Sequence, residues 1–270
     1  MILSFDPAAL LAYAAVAAYA LSALGRPLGT TRVQAVALAL HAATLVARFW
    51  LEWADGGGLR FGFAPVLSLT VWLVLAVHLA ESRLVPLAGL RRMFSLLGAT
   101  SVLLALAFPG EFHVSAQLPR LAPLHWALGI ASYGLFGVAV VHAMLLDAAE
   151  RRMRMVSAAP RTEPGGVMGL PLLSLERLTF HFVEAGFVVL TLAIVLGLTS
   201  VGHFRWWDHK TVLSLMAWAT FAALIVGRRT RGWRGRQATR WVYAGGVLML
   251  LAYVGSRFVL EVVLQRAPQS

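Results

Sequence analysis

The 270-residue chain is 59% apolar and only 13% charged, its mean hydropathy is +0.76 and its formal net charge is +11. Soluble domains carry roughly 25% charged residues, so this composition excludes a soluble domain and predicts a polytopic membrane protein. The absence of cysteine excludes disulfides, thiolate metal sites, a catalytic thiol and the Cys-x-x-Cys-His motif of c-type cytochromes. The N-terminus lacks the basic region of a cleaved signal peptide, so we expect the first apolar segment to remain as an anchor.

Apolar segments long enough to cross a membrane recur along the whole chain. A span needs about 20 mostly apolar residues, and fewer where protein covers its ends. The sequence therefore predicts an all-α bundle of eight transmembrane helices that packs as a single domain over residues 1–270. The predicted spans are 8–25, 33–50, 65–81, 93–108, 122–147, 176–201, 211–227 and 241–264, of which the fourth is the shortest.

Most of the 23 lysines and arginines fall in alternate connections between these spans. The positive-inside rule places those connections in the cytoplasm and both termini outside, which in a Gram-negative bacterium means the periplasm. The longest connection, 148–175, is basic and then rich in Pro and Gly, and it predicts a flexible cytoplasmic linker. The basic run Gly227–Arg240 interleaves arginines with Trp233 as nucleic-acid-binding segments do. Between two spans, however, topogenesis and anionic lipid explain it better than nucleic acid.

A short hinge between the sixth and seventh spans, predicted to lie outside, is rich in aromatic and ionisable residues. They are His203, Arg205, Trp206, Trp207, Asp208, His209 and Lys210. Aromatic faces, imidazoles and cations together suit a flat, anionic, metal-containing ligand such as haem. Taken singly, the tryptophans fit an interfacial belt and Asp208 fits a helix N-cap. The combination predicts a haem site at the outer surface.

A histidine at the start of the fifth span supports this interpretation. His125 shares one helical face with Gly129 at i+4 and Ser132 at i+7, and these small residues leave room for a flat ring below the imidazole. A capping histidine above small residues that serve helix packing is an equally compatible alternative.

A second layer of polar groups is predicted deeper in the membrane and near its inner surface. His181 and Glu184 are i,i+3 on the sixth span and fit a proton relay, a ligand site or a satisfied inter-helix pair. His78 and His142 lie near cytoplasmic ends, where snorkelling is the simpler interpretation, and His41 lies near mid-membrane. Two layers suggest two sites.

Three spacings in the chain match a known family. Asp208, Lys210 and Trp218 follow the Trp-Trp pair, with Trp218 ten residues after Asp208. The other two are His125 seven and eight residues before Ser132 and Tyr133, and His78 six residues after Trp72. From about residue 60 onward the chain resembles the cytochrome c assembly membrane proteins with a tryptophan-rich WWD domain, the CcsA/CcmC group, and within it the YpjD-like, HemX-like branch.

The resemblance implies that His125 ligates haem iron. From the chemistry of the side chains we expect Trp206 and Trp207 to stack on the macrocycle and Arg205, Lys210 or Arg120 to pair with the propionates. The chain departs from the family in its shortened hinge and at Leu264, which stands where a second external histidine is expected, eleven residues after Tyr253. His209 or His203 would then supply the second axial ligand.

These residues predict a haem-handling inner-membrane protein that binds non-covalent, b-type haem. Its other expected partners are the lipid bilayer and further subunits of cytochrome c assembly or membrane complexes. No residues are arranged for acyl, phosphoryl or hydride transfer, so we expect no enzymatic activity. Two alternatives remain. One is a non-haem accessory or regulatory protein, favoured by Leu264 and the short hinge, and the other is a proton-coupled carrier that uses His181, Glu184 and His41.

Overall fold

The computed structural model describes residues 6–25, 30–81, 90–114, 120–156, 172–200 and 208–263, and it confirms an all-α, multi-pass architecture. The helices are α1 (Pro7–Leu24), α2 (Thr30–Gly56), α3 (Phe63–Glu81), α4 (Arg91–Ala107), α5 (Ala122–Val156), α6 (Leu172–Ser200), α7 (His209–Arg231) and α8 (Gly235–Leu250). In the described residues, 7 helical segments are long and apolar enough to cross a membrane. The fourth predicted span forms α4, which at 17 residues is shorter than these. The count of eight spans and the outside position of both termini stay predictions.

Two predicted connections are shorter than expected. Helix α5 continues to Val156 and α6 begins at Leu172, so the predicted linker 148–175 is helical at both ends, and its centre lies outside the described residues. Helix α7 continues to Arg231 and α8 begins at Gly235, so most of the predicted basic loop is also helical. The sequence predicted that the span ends where the arginines begin, because hydropathy falls there. The helix continues because arginines in the last turn of α7 are favoured by the negative end of its dipole.

Two features of the backbone were not predicted. An antiparallel pair of short strands, β1 (Gly58–Phe61) and β2 (Glu111–Val114), is too brief to show a period-2 pattern in the sequence. Helix α8 continues through two π-helical stretches, Leu251–Gly255 and Val259–Val263, around the short α-helical segment Ser256–Phe258. Such wide turns are uncommon and leave no hydropathy signal.

The chain divides into two compact units. The first contains α1 to α4, both strands and the helical residues from Arg257 onward, and the second contains α5 to α7 and α8 with its continuation to Ser256. The expectation of a single domain stays a prediction.

The first unit is tied together by a buried polar chain across three helices. His41 Nδ1 of α2 lies 3.2 Å from the Tyr19 hydroxyl of α1, and His41 Nε2 lies 2.8 Å from the Ser68 hydroxyl of α3. The Tyr19 ring lies over Gly98 of α4, where an added Cβ would be 2.6 Å from Tyr19 Cζ. Lipid offers no hydrogen-bond partners, so these buried groups must satisfy one another. The Tyr19–His41–Ser68 chain therefore fixes how α1, α2 and α3 pack.

An aromatic pair forms the centre of the second unit. The rings of Phe136 and Phe221 are stacked, with centroids 3.8 Å apart and an angle of 4° between their planes. A Cβ added to Gly186 would lie 2.9 Å from Phe136, and one added to Gly245 would lie 2.5 Å from Phe221. These glycines let the backbones of α6 and α8 approach the two rings closely.

Arg257 and Glu261, at i,i+4, are predicted to neutralise each other, and the structure confirms the pair at 3.7 Å. Arg257 Nη1 also lies 3.6 Å from a carboxylate oxygen of Glu111.

Because Arg257 is largely buried, we expect Arg257→Met to destabilise the detergent-solubilised protein by about 2 kcal/mol, after discounting the partial exposure of Glu111. Thermal unfolding measures this loss. The matched control is Arg60→Met, which removes a more exposed pair with Glu52, 3.8 Å apart, and should cost less than about 1 kcal/mol. Equal losses would contradict the expectation.

Candidate functional site

The imidazole of His125, at the start of α5, lies against α6. Its Nδ1 is 2.9 Å from the backbone carbonyl oxygen of Ala193. A carbonyl can only accept, so Nδ1 carries a proton and donates it, and in the neutral imidazole Nε2 then carries the lone pair. Histidines that ligate metals are commonly held through their other nitrogen in this way. The geometry therefore fixes the ring and leaves the lone pair of His125 Nε2 outside this hydrogen bond.

A glycine on α6 makes this contact accessible. The Ala193 carbonyl is also the α-helical acceptor position for the amide of Gly197, four residues later. A Cβ on residue 197 would lie 2.9 Å from His125 Cε1 and 3.2 Å from its Nδ1. The missing side chain thus uncovers the backbone oxygen that orients the imidazole. Sequence reasoning missed this role, because a glycine in an apolar span gives no sign of which helix face it occupies.

The small residues predicted below His125 have different surroundings. A Cβ added to Gly129 would meet nothing within 4 Å, so there is open space at this position. Ser132 instead turns back and donates its hydroxyl hydrogen to the Gly129 carbonyl oxygen at 2.7 Å. Tyr133 donates to the Met249 carbonyl oxygen at 2.7 Å, which ties α5 to α8 just before the first π-helical stretch. In this structure Ser132 therefore bonds within α5, and Tyr133 serves the packing of α5 against α8.

The structure describes only the end of the hinge. Asp208 caps α7, as the N-cap interpretation predicted, by accepting a hydrogen bond from the Lys210 amide at 3.4 Å. His209 is exposed, and its Nδ1 lies 3.2 Å from a carboxylate oxygen of Asp208. Arg120, two residues before the fifth predicted span, is exposed. The predicted site residues that lie outside the described residues are His203, Arg205, Trp206 and Trp207.

The histidines predicted near the inner surface are buried in the helix packing. His78 is 7% exposed and its ring centroid lies 4.1 Å from that of Phe94, while His142 is 2% exposed and packs near Phe182 at 5.4 Å. Snorkelling is therefore the wrong interpretation for both.

Tryptophans at two of the family spacings tie neighbouring helices together. Trp72 of α3 donates its indole hydrogen to the Leu38 carbonyl oxygen of α2 at 3.1 Å. Trp218 of α7 donates to the hydroxyl of Thr191 in α6 at 2.9 Å. These contacts account for a tryptophan at each of the two positions without requiring either to touch a cofactor.

The structure does not show the predicted pair of His181 and Glu184. Glu184 accepts a hydrogen bond from Arg229 of α7 at 3.2 Å, and His181 is exposed. Both ring nitrogens of His41 are within hydrogen-bond distance of Tyr19 and Ser68. Two of the three groups that the proton-coupled carrier alternative would use therefore have other partners, Glu184 in an exposed ion pair and His41 in the buried polar chain.

No group of three or more ionisable side chains placed to hold a bare metal ion occurs among the described residues. Haem iron has a different requirement, because the porphyrin supplies four ligands and the protein supplies one or two axial ones. His125, oriented through Nδ1, fits that smaller requirement.

Apolar helices of membrane-spanning length define a multi-pass membrane protein. The sequence model of the family described as "Cytochrome C assembly protein" matches residues 32–264. The chain belongs to this family.

Two curated relatives illustrate the similarity. The chain is 29% identical over 231 residues to "Inner membrane protein YpjD" of Escherichia coli strain K12, and the alignment covers 84% of this chain and 85% of the relative. It is 28% identical over 306 residues to "Cytochrome c biogenesis protein CcsA" of Microcystis aeruginosa, and this alignment covers 91% of the present chain and 89% of the relative. No solved structure shows a significant match. The protein is therefore a multi-pass protein of the bacterial inner membrane, as the sequence predicted.

Proposed function

We propose that the protein binds b-type haem non-covalently near the outer membrane surface and handles it in cytochrome c assembly, with His125 as an axial ligand. The observation that carries the proposal is the hydrogen bond from His125 Nδ1 to the Ala193 carbonyl oxygen, which leaves Nε2 with its lone pair. The family and the name of its CcsA relative supply the connection with cytochrome c.

Two features support a porphyrin as the ligand. A Cβ added to Gly129 would meet nothing within 4 Å, which leaves room for part of a flat ring, and the hinge sequence contains indoles for stacking and cations for the propionates. In this proposal Trp206 and Trp207 stack, and Arg205, Lys210 or Arg120 pairs with a propionate. Haem itself supplies the redox-active iron that c-type cytochromes carry. The protein residues bind and orient haem, and we assign them no bond-forming step and no enzymatic activity.

The haem content of the purified protein tests the proposal directly. Pyridine haemochrome analysis of the purified protein should show haem in the wild type and at least a roughly tenfold lower content in His125→Ala, because one lost iron ligand removes several kcal/mol of binding. The matched control is His181→Ala, since His181 is an exposed imidazole on α6 that should leave the haem content unchanged. A haem-free wild type, or equal content in wild type and His125→Ala, would refute the proposal.

The second axial ligand is expected to come from the hinge, because Leu264 cannot ligate iron. His209 is the described candidate, and its Nδ1 lies 3.2 Å from Asp208, which leaves Nε2 outside that contact. We predict that either His209→Ala or His203→Ala would change the optical and electron paramagnetic resonance spectra of bound haem, because a residue that would hold the iron is lost, while the other variant would keep the wild-type spectra. Wild-type spectra in both variants would exclude a hinge ligand.

The alternative of a non-haem accessory or regulatory protein is favoured by Leu264 at the position of the expected histidine. It predicts a haem-free preparation that co-purifies with a stoichiometric partner from a membrane complex. Haem in the purified wild type with no such partner would count against it.

A further inference from the structure

The arginines around the turn between α7 and α8 fall into two groups. Arg228 stacks on Phe180 of α6, with Cζ 3.5 Å from the ring centroid, and Arg229 pairs with Glu184. The others are exposed, and within the described part of the chain their side chains form no hydrogen bond or ion pair. We call them the arginine face: Arg231, Arg234, Arg236 and Arg240.

The turn that carries the arginine face is fixed by aromatic packing. The Trp233 ring occupies the space beside Gly227 where a side chain would lie, and its backbone amide donates to the Gly227 carbonyl oxygen at 3.4 Å. Trp233 also stacks on Trp241 of α8, with centroids 5.2 Å apart. Gly232 ends α7 at φ +65°, a left-handed conformation that glycine adopts without strain. The exposed arginines are therefore held on a defined surface.

In the part of the chain that the structure describes, the two α5 carboxylates near the turn form no ion pair with the arginine face. Asp147 of α5 accepts hydrogen bonds from Thr239 at 2.9 Å and from Tyr243 at 3.0 Å. Glu150 lies beside Gly235, where an added Cβ would be 2.8 Å from its Oε1. These acids therefore contact the α5-facing side of α8, while the arginine face is exposed.

Helix α8 adds to the positive field. It begins at Gly235 with no side-chain N-cap and no acidic residue of its own in the first turn, and Glu150 of α5 is the carboxylate beside this end. The positive end of its dipole is unfavourable for the nearby Arg234 and Arg236. Arg236 and Arg240 are also i,i+4 on an exposed helix, a spacing at which like charges repel. Only Arg231, in the last turn of α7, is favoured by a dipole. An external anion would relieve this repulsion.

We propose that the arginine face binds the phosphate of an anionic phospholipid headgroup. The face lies where two apolar helices end, which is the depth of lipid headgroups, and guanidinium groups match phosphate oxygens in a bidentate fork. The paired indoles of Trp233 and Trp241 have the amphipathic character that suits this interface. A membrane lipid fits this location better than RNA, which would have to approach along the bilayer surface.

Native mass spectrometry of the full-length protein in detergent tests the proposal, with phosphatidylglycerol and phosphatidylcholine as probes. The wild type should retain phosphatidylglycerol preferentially, and the preference should weaken as ammonium acetate is raised from about 50 to 500 mM. Replacing every residue of the arginine face with glutamine should weaken phosphatidylglycerol binding by about tenfold or more and leave phosphatidylcholine binding unchanged.

The control removes the same number of arginines from scattered positions and should bind like the wild type. Its substitutions are Arg32→Gln, Arg48→Gln, Arg60→Gln and Arg92→Gln. An equal loss of phosphatidylglycerol binding in this control would overturn the proposal. Even without any variant, a wild-type protein that shows no preference for phosphatidylglycerol would overturn it. Inorganic phosphate that displaces the lipid at equal concentration would indicate a free-phosphate site, and tighter binding of an RNA oligonucleotide would indicate a nucleic-acid surface. Both of these results would also overturn it.

Discussion

Gly197→Ala is expected to lower the haem content of the purified protein by about tenfold or more without unfolding it. The new Cβ would lie 2.9 Å from His125 Cε1, so the imidazole must leave the Ala193 carbonyl oxygen and Nε2 loses its orientation. Alanine is favoured over glycine inside a helix by about 1 kcal/mol, so helix stability is retained. Haem content and thermal unfolding should therefore change independently.

The matched control for this substitution lies on the same helix. Gly186→Ala places a Cβ at the same distance, 2.9 Å, from the Phe136 ring, about three helical turns from Gly197. This variant should unfold at lower temperature and keep its haem. If both variants lost haem equally, general disturbance of α6 would explain the result and the role assigned to Gly197 would be wrong.

His41→Leu is expected to destabilise the protein by about 3 kcal/mol, which corresponds to a decrease of roughly 5–10 °C in the unfolding midpoint. The substitution removes both hydrogen bonds of His41 and leaves the hydroxyls of Tyr19 and Ser68 buried in an apolar environment. A buried hydroxyl without a partner costs about 1–3 kcal/mol. Thermal unfolding in detergent, followed by circular dichroism, measures the loss.

A triple variant separates lost hydrogen bonds from lost packing. Combining His41→Leu with Tyr19→Phe and Ser68→Ala removes the stranded hydroxyls, and this variant should be more stable than His41→Leu alone. A triple variant that is less stable than the single one would show that the hydroxyls have other partners and that the polar chain is not the source of the effect.

The sequence was sufficient to predict the helices because lipid requires each span to satisfy its own backbone hydrogen bonds. Apolar length alone therefore located α1 to α8. It failed at the turn between α7 and α8, where hydropathy ends at the first arginines but the helix continues to Arg231. It also missed β1 and β2, because pairing between Arg60 and Phe112 depends on contacts across 52 positions of chain.

The candidate site was predictable only in part. An imidazole at the head of a span identified His125, but its partners Ala193 and Gly197 depend on the rotation of α6 about its axis. In a helix that is apolar on most faces, sequence periodicity does not give that rotation. For the same reason the i,i+3 spacing suggested a His181–Glu184 pair, whereas α7 supplies Arg229 to Glu184.

The most direct measurement of the central claim is rescue of His125→Gly by free imidazole, followed through the Soret band of the purified protein. The variant should have little bound haem and added imidazole should restore it, because the small molecule would occupy the vacated ligand position. A His125→Gly protein with the wild-type spectrum would contradict His125 as the iron ligand. A folded variant that lost haem and did not regain it when imidazole was added would contradict it as well.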